Sequence, residues 1–293
     1  MVQTKIYNTE FNEFIMNLDK PVTAGTEKAY KSQYLIIRSN FQKPLNQVSN
    51  KEFIEYLNKA TTKGGKEIST NTKKNLMNLM VMVKKQVDEK EYRELYELRE
   101  KLREDVSTEI KAKHENLNTD NIVKYDELVQ YLKLQTNTSF IINYILLYYC
   151  TRNRDLNLTI AEYSGEMPDT ANWLLIDTDK VIFVRNDYKT YNTYGQLIFN
   201  ITNKTFIKNV KQLYKKGDTK LLKSISFDKE IRGYTMRGLS ETDICKIVVY
   251  HFLTSNRYSE VLEISKRRGS SLDALLQNYN FHYKEIQKDL KED

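Results

Sequence analysis

Two arginines and an aspartate, Arg152, Arg154 and Asp155, follow directly on an apolar run, Phe140-Ile141-Ile142-Asn143-Tyr144-Ile145-Leu146-Leu147. The run reads as a buried helix, and no glycine or proline nearby marks an ordinary turn. A guanidinium keeps its proton in a protein, so fixing one at the end of a buried helix is costly unless an anion meets it. The chemistry offered is therefore the holding of an oxyanion. The plainer alternative is a helix end at which Arg152 and Asp155 pair at the surface. A second concentration of positive charge, Lys266, Arg267 and Arg268, stands immediately before Gly269-Ser270-Ser271.

These residues need a scaffold, and the composition says which kinds are open. The chain has 293 residues, enough for one large domain or two ordinary ones. Hydrophobic residues make up 40% and charged residues 29%, which suits a packed core rather than disorder. Only 9 glycines and 3 prolines argue for long helices and against a turn-rich all-β fold. A formal net charge of +7 and a pI near 9.0 suit a polyanionic partner such as nucleic acid, with an anionic membrane surface second. Cys150 and Cys245 lie far apart and form no zinc pattern or disulfide framework, which points to a reducing, intracellular compartment. The N-terminal residues carry no signal-peptide core, and no apolar run approaches the ~20 residues of a membrane span.

In order, a short helix is predicted over residues 7–19, with Phe11, Phe14, Ile15 and Leu18 on one face. A second runs from Thr26 through Tyr30, Tyr34, Ile37 and Arg38. Pro44 to Val48 reads as a loop, and Ser49 caps a helix holding Phe53, Ile54, Tyr56 and Leu57. Lys63-Gly64-Gly65-Lys66 is a basic turn. Ser69 or Thr70 starts a helix that buries Leu76, Leu79, Met80 and Val83, and a very polar helix follows from Asp88 to Glu109. Residues 110–120 read as a linker, which extended reaches roughly 35 Å. The second unit, 121–293, opens with a helix from Tyr125 and runs into the Arg152 stretch. The period then changes to alternation at Trp173–Asp177, Val181–Val184 and Gln196–Ile201, predicting a three-stranded antiparallel sheet. Helical periodicity resumes near Thr205 and continues to the polar C-terminal stretch, Phe281 to Asp293.

Aromatic-x-Thr-Arg-x-x-Asp-Leu, at Tyr149 to Leu156, resembles the first arginine box of the tyrosine recombinases, the phage-integrase-like DNA strand-exchange enzymes. Thr-x-x-x-Tyr at residues 26–30, Pro-Leu-x-x-Val-Ser at 44–49 and Ser-x-Asn-Thr-Lys at 69–73 resemble the core-binding domain that precedes their catalytic domain. The resemblance implies a fold that is mainly α with a small antiparallel sheet: a helical clamp domain over 1–109, then an α+β catalytic domain. It implies that Arg152 holds the scissile phosphate and Asp155 braces the fold. It implies that Lys189, between the second and third predicted strands, protonates the departing 5′ oxygen, as a lysine with a lowered pKa can. A solvated hairpin lysine is the alternative.

The second box, normally His-x-x-Arg, departs from the pattern. Thr242 and Cys245 stand at its two positions; a one-residue slip puts Asp243 and Lys246 there, and Tyr234-x-x-Arg237 is a further match. The third box, normally Leu-Gly-His-Ser, places Gly269 on the glycine, Ser270 on the histidine and Tyr279 on the nucleophile. With 21 tyrosines in the chain, a core role for Tyr279 is the alternative, and Tyr283 is a neighbouring candidate.

On this resemblance the chain is similar to the divergent integrases of phages, mobile elements and large DNA viruses, and is expected to cleave and rejoin DNA through a 3′-phosphotyrosyl link. Arg152, Lys189, Tyr279, Lys246 and Arg268 are the expected catalytic set. Arg154, Lys266, Arg267, Ser270 and Lys73 are the expected DNA contacts. No cofactor is implied, because the covalent link stores the phosphodiester energy. The implied partners are double-stranded DNA and further copies of the chain, as a tetramer on DNA, with no membrane. A descendant that binds DNA without cutting it, and a type IB topoisomerase-like enzyme, are the competing readings.

Overall fold

A computed structural model describes residues 2–115, 123–224 and 227–279, with the side chains of residues 2–5, 111, 113–115 and 277–279 outside that description. The predicted C-terminal helix beyond Phe281 also lies outside the described residues. The chain divides into two compact units, Met1–Asn116 and Leu117–Asp293. It is mainly helical, with one four-stranded sheet in the second unit.

The first unit is five helices: α1 (Val2–Met16), α2 (Ala24–Arg38), α3 (Asn50–Lys59), α4 (Thr70–Lys85) and α5 (Glu89–Glu115). Their apolar faces meet in one core built on Phe11, Tyr34, Ile37, Phe53, Leu57, Leu76, Leu79, Met80 and Leu95. The helix starts follow local chemistry. Thr23, Ser49 and Ser69 each accept a hydrogen bond from an otherwise unsatisfied first-turn amide. Ser49 forms a full capping box with Glu52, whose carboxylate also receives Lys43 Nζ at 2.9 Å. Those donors hold the Glu52 carboxyl down at about 2. The basic turn forms: the Thr62 amide donates to the Lys66 carbonyl at 2.7 Å.

The front of the stretch read as a linker is helical rather than extended. Residues 110–115 continue α5, because Glu89 to Glu115 contains no glycine or proline and little but good helix formers. Where the sequence suggests a loop, Leu45–Gln47 makes one 3₁₀ turn.

The second unit begins with α6 (Tyr125–Lys133) and α7 (Asn137–Tyr149). β1 (Leu158–Glu162), β2 (Asn172–Ile176), β3 (Val181–Arg185) and β4 (Leu197–Ile201) form a sheet in the order β1-β2-β3-β4. β1 runs parallel to β2 and the other pairs are antiparallel, so the sheet is mixed and four-stranded rather than three-stranded antiparallel. β1 alternates, with Leu158 and Ile160 buried, but it is short and pairs in parallel with β2, Leu158 opposite Asn172, so no hairpin turn marks it. The short α8 (Tyr191–Tyr194) lies between β3 and β4; then come α9 (Lys204–Lys215), α10 (Phe227–Tyr234), α11 (Glu241–Thr254), α12 (Tyr258–Arg268) and α13 (Leu272–Tyr279). The core joins α7 (Ile141, Ile145, Leu146), Phe183 of β3, Phe206 and Val210 of α9 and Val248 of α11.

Ser49→Ala removes the α3 cap and is expected to cost about 1 kcal/mol. Urea unfolding of the full chain, followed by circular dichroism, reads this as a lowered midpoint. Because the Glu52 carboxyl is depressed in the folded state, its contribution is present above the ordinary carboxylate range. That contribution fades as pH falls towards about 2.

Candidate functional site

The turn that carries Arg152 is built by strain and held by arginines. α7 ends at Cys150, a non-glycine residue in the left-handed region (φ 47°, ψ 38°), whose amide donates to the Leu146 carbonyl at 3.2 Å. Left-handed backbone costs an ordinary residue on the order of 1–2 kcal/mol, so something must hold it. Arg268 does: its Nη1 donates to the Cys150 carbonyl, and its Nη2 stands 3.6 Å from Glu241. The Arg268 side chain is fully buried at the end of α12. It thus contacts the backbone of the Cys150 turn and Glu241.

Asp155 is also fully buried. Its Oδ2 accepts the Arg152 amide at 3.1 Å and an ion pair from Arg185 Nη2. The surface Arg152–Asp155 pair is thus not what forms. Arg185, at the end of β3, is 0% exposed, and the same guanidinium donates to the Arg267 carbonyl and, at 3.5 Å, to that of Arg268. Burial pulls the Arg185 pKa down and the Asp155 carboxylate opposes this. The Tyr188 ring covers the guanidinium at 4.6 Å.

Arg152 meets the same turn. Its Nη1 donates to the Arg268 carbonyl at 3.2 Å and its Nη2 to Ser270 Oγ at 3.0 Å. The Thr190 hydroxyl donates to the Gly269 carbonyl. Gly269 has φ +63°, and a Cβ there would come within 2.7 Å of the Tyr188 ring, so the glycine of the third box is required twice over. The carbonyls of residues 267–269, which close α12 without helical partners, are thus received by Arg185, Arg152 and Thr190. Cations at that end also oppose the negative pole of the helix dipole.

Three sequence-distant segments therefore converge: the Arg152 turn, the loop after β3 that carries Lys189, and the Gly269–Ser270 turn. Arg152 is partly exposed and keeps further N–H donors of its five. Lys189 is exposed and makes no side-chain ion pair or hydrogen bond among the described residues. Tyr279 ends α13, the helix that starts directly after this turn, but its side chain lies outside the described residues.

The other expected positions are placed as follows. Arg154 pairs with Asp187, Lys266 with Glu263 at 2.8 Å and Lys73 with Glu67, all at or near the surface. Arg267 donates to the Tyr148 carbonyl at 3.1 Å and lies over Tyr149. Lys246 is half-buried on α11, one residue past the fully buried Cys245. Asp243, the alternative from a one-residue slip, is spent on the α11 capping box with Ser240. Arg237 points to Glu127 at 3.9 Å from an exposed side chain. Burial pushes the Glu241 carboxyl up against the pull of Arg268. Among the described residues no group of three His, Cys, Asp or Glu side chains could hold a metal ion. No helix there is long and apolar enough to cross a membrane.

Sequence reading misses Arg185. Its one signal is a charged residue closing a strand, Val181–Arg185, whose every residue is buried.

No protein-family model matches the chain, and no curated protein does. Among solved structures, one of the XerA recombinase is similar, with 12% identity and a TM-score of 0.36, over 99% of this chain and 98% of that one. A likeness that loose assigns no function to this chain.

Arg185→Met strands the Asp155 carboxylate in the core and is expected to destabilise the second unit by about 3–5 kcal/mol. Arg185→Met combined with Asp155→Leu recovers much of that loss. Denaturant unfolding of the single and double variants measures both effects.

Proposed function

We propose that the chain is a DNA strand-breaking and rejoining enzyme of the tyrosine-recombinase kind. The observation that carries the reading is the meeting of Arg152, the Lys189 loop and the Gly269–Ser270 turn. Those are the first box, the lysine loop and the third box of the resemblance, and the first and last lie 118 positions apart in sequence.

In this reading Arg152 receives a non-bridging oxygen of the scissile phosphate, using guanidinium donors beyond those given to Arg268 and Ser270. The Tyr279 phenol gives its proton to solvent water as its oxygen attacks phosphorus. The bond to the 5′ oxygen breaks, and Lys189 supplies the proton that oxygen needs. A phosphodiester is exchanged for a phosphotyrosyl ester, so a second attack by a 5′ hydroxyl reverses the step or joins a new strand. Ser270 replaces the usual histidine and steadies Arg152 rather than titrating. Lys246 is the remaining candidate for extra charge, as a point cation without a fork.

One observation favours a second reading, a DNA-binding descendant without chemistry. Cys245, one of the residues the resemblance puts at the second arginine, is buried, and the Arg268 guanidinium contacts Cys150 and Glu241. A lost oxyanion donor costs about 10²–10³ in rate.

A nicked suicide duplex separates the two. The enzyme reading predicts a covalent protein–DNA adduct with wild type and none with Tyr279→Phe. Lys189→Ala is expected to slow adduct formation by about 10²–10⁴. A duplex with sulfur in place of the departing 5′ oxygen restores much of that loss, because such a leaving group needs little protonation. No adduct, with salt-sensitive duplex binding intact, supports the binding descendant.

A further inference from the structure

One helix of the second unit carries an unbalanced run of positive charge. Between Asn203 and Lys223 stand seven lysines and one acid, Asp218, and the formal net charge of the whole chain is +7. That stretch is therefore strongly basic, as are residues 59–85 with seven lysines and Glu67, while acidic segments elsewhere offset much of the total.

α9 shows why this is more than a solvated helix. Phe206, Ile207, Val210 and Leu213 are buried against α7 and the sheet. Lys204, Lys208, Lys211 and Lys215 recur at steps of four, three and four on the other side, and α9 holds no acidic residue. Such lysines repel one another at i,i+4, by a few tenths of a kcal/mol per pair. Lys204 also occupies the first turn, where the helix dipole disfavours a cation. Lys204, Lys208, Lys215 and Lys216 are exposed and make no side-chain ion pair among the described residues. Lys211 donates to the Thr178 carbonyl at 3.1 Å, Lys220 to Thr159 Oγ1 at 2.7 Å, and Lys223 pairs with Asp218. The arrangement works against the isolated helix and is relieved by a dense line of negative charge.

We infer that the exposed face of α9, continued by Lys216, binds the phosphate backbone of duplex DNA. From Lys204 to Lys215 the helix spans roughly 16 Å at 1.5 Å per residue. A duplex offers about one charge per 1.7 Å of its axis over that length. An anionic membrane is the poorer fit, because the residues flanking the lysines on this face are Thr205 and Gln212, and the partly buried Tyr214 packs against the core. The inference rests on the duplex-binding half of the proposed function and not on its chemistry.

The test compares wild type with the fourfold variant Lys204→Gln, Lys208→Gln, Lys215→Gln, Lys216→Gln on an intact duplex across a salt series. Log affinity against log salt is expected to become shallower by roughly 0.9 for each lysine that meets a phosphate. Affinity at about 0.1 M salt should fall at least tenfold. The variant's thermal midpoint should hold or rise, since like charges are removed. An unchanged slope and affinity overturns the inference. So does wild type that ignores the duplex, including the case where it binds phosphatidylserine vesicles through these lysines. Adduct formation on the nicked duplex keeps the two claims apart. A lysine-dependent slope without adduct leaves this inference standing and removes the chemistry; adduct with an unchanged slope does the reverse.

Discussion

The second unit depends on one buried ion pair, Arg185 with Asp155. Neither side chain reaches solvent, and each would be expensive alone. Paired, they join the end of β3 to the turn after α7. The rest of the Arg185 fork then takes the carbonyls that α12 leaves open at its end. One interaction thus fixes the three segments on which any chemistry here would have to be built.

Around that pair the charges do not cancel. Three guanidiniums, of Arg152, Arg185 and Arg268, face two carboxylates, of Asp155 and Glu241. The two deepest cations serve the fold: Arg268 steadies the left-handed Cys150, and Arg185 locks the turn. Arg152 is the one of the three that keeps some exposure. A cation at the end of a buried helix needs an anion, and the negative pole of α12 meets that need in part. The remaining donors are what an incoming phosphate would use.

Much of this arrangement is legible in the chain itself. Ser49 with Glu52 announces a helix start, and the apolar run before Arg152 announces a buried helix. Spacing brings Lys189, Gly269 and Ser270 to attention, and Gly269 is where a side chain would strike Tyr188. What is not legible has physical causes. β1 pairs in parallel with β2, which cannot follow it through a tight turn, so no local hairpin signal marks it. Residues 110–115 look like a linker because they are charged, yet nothing in them stops a helix already under way. Arg268 stands in a basic run, Lys266 to Arg268, whose spacing does not say which member points inward; its contacts with Cys150 and Glu241 do. Arg185 carries no motif at all; its partner Asp155 lies thirty positions earlier.

The claim at the centre is that Arg152 and Tyr279 address the same phosphorus. A crystal structure of the chain on a nicked duplex tests it most directly. The account predicts a backbone phosphate oxygen within hydrogen-bond distance of the Arg152 guanidinium, with the Tyr279 phenol in line with the bond to the 5′ oxygen. A phosphate bound away from Arg152, or a Tyr279 phenol packed in the interior, would contradict it.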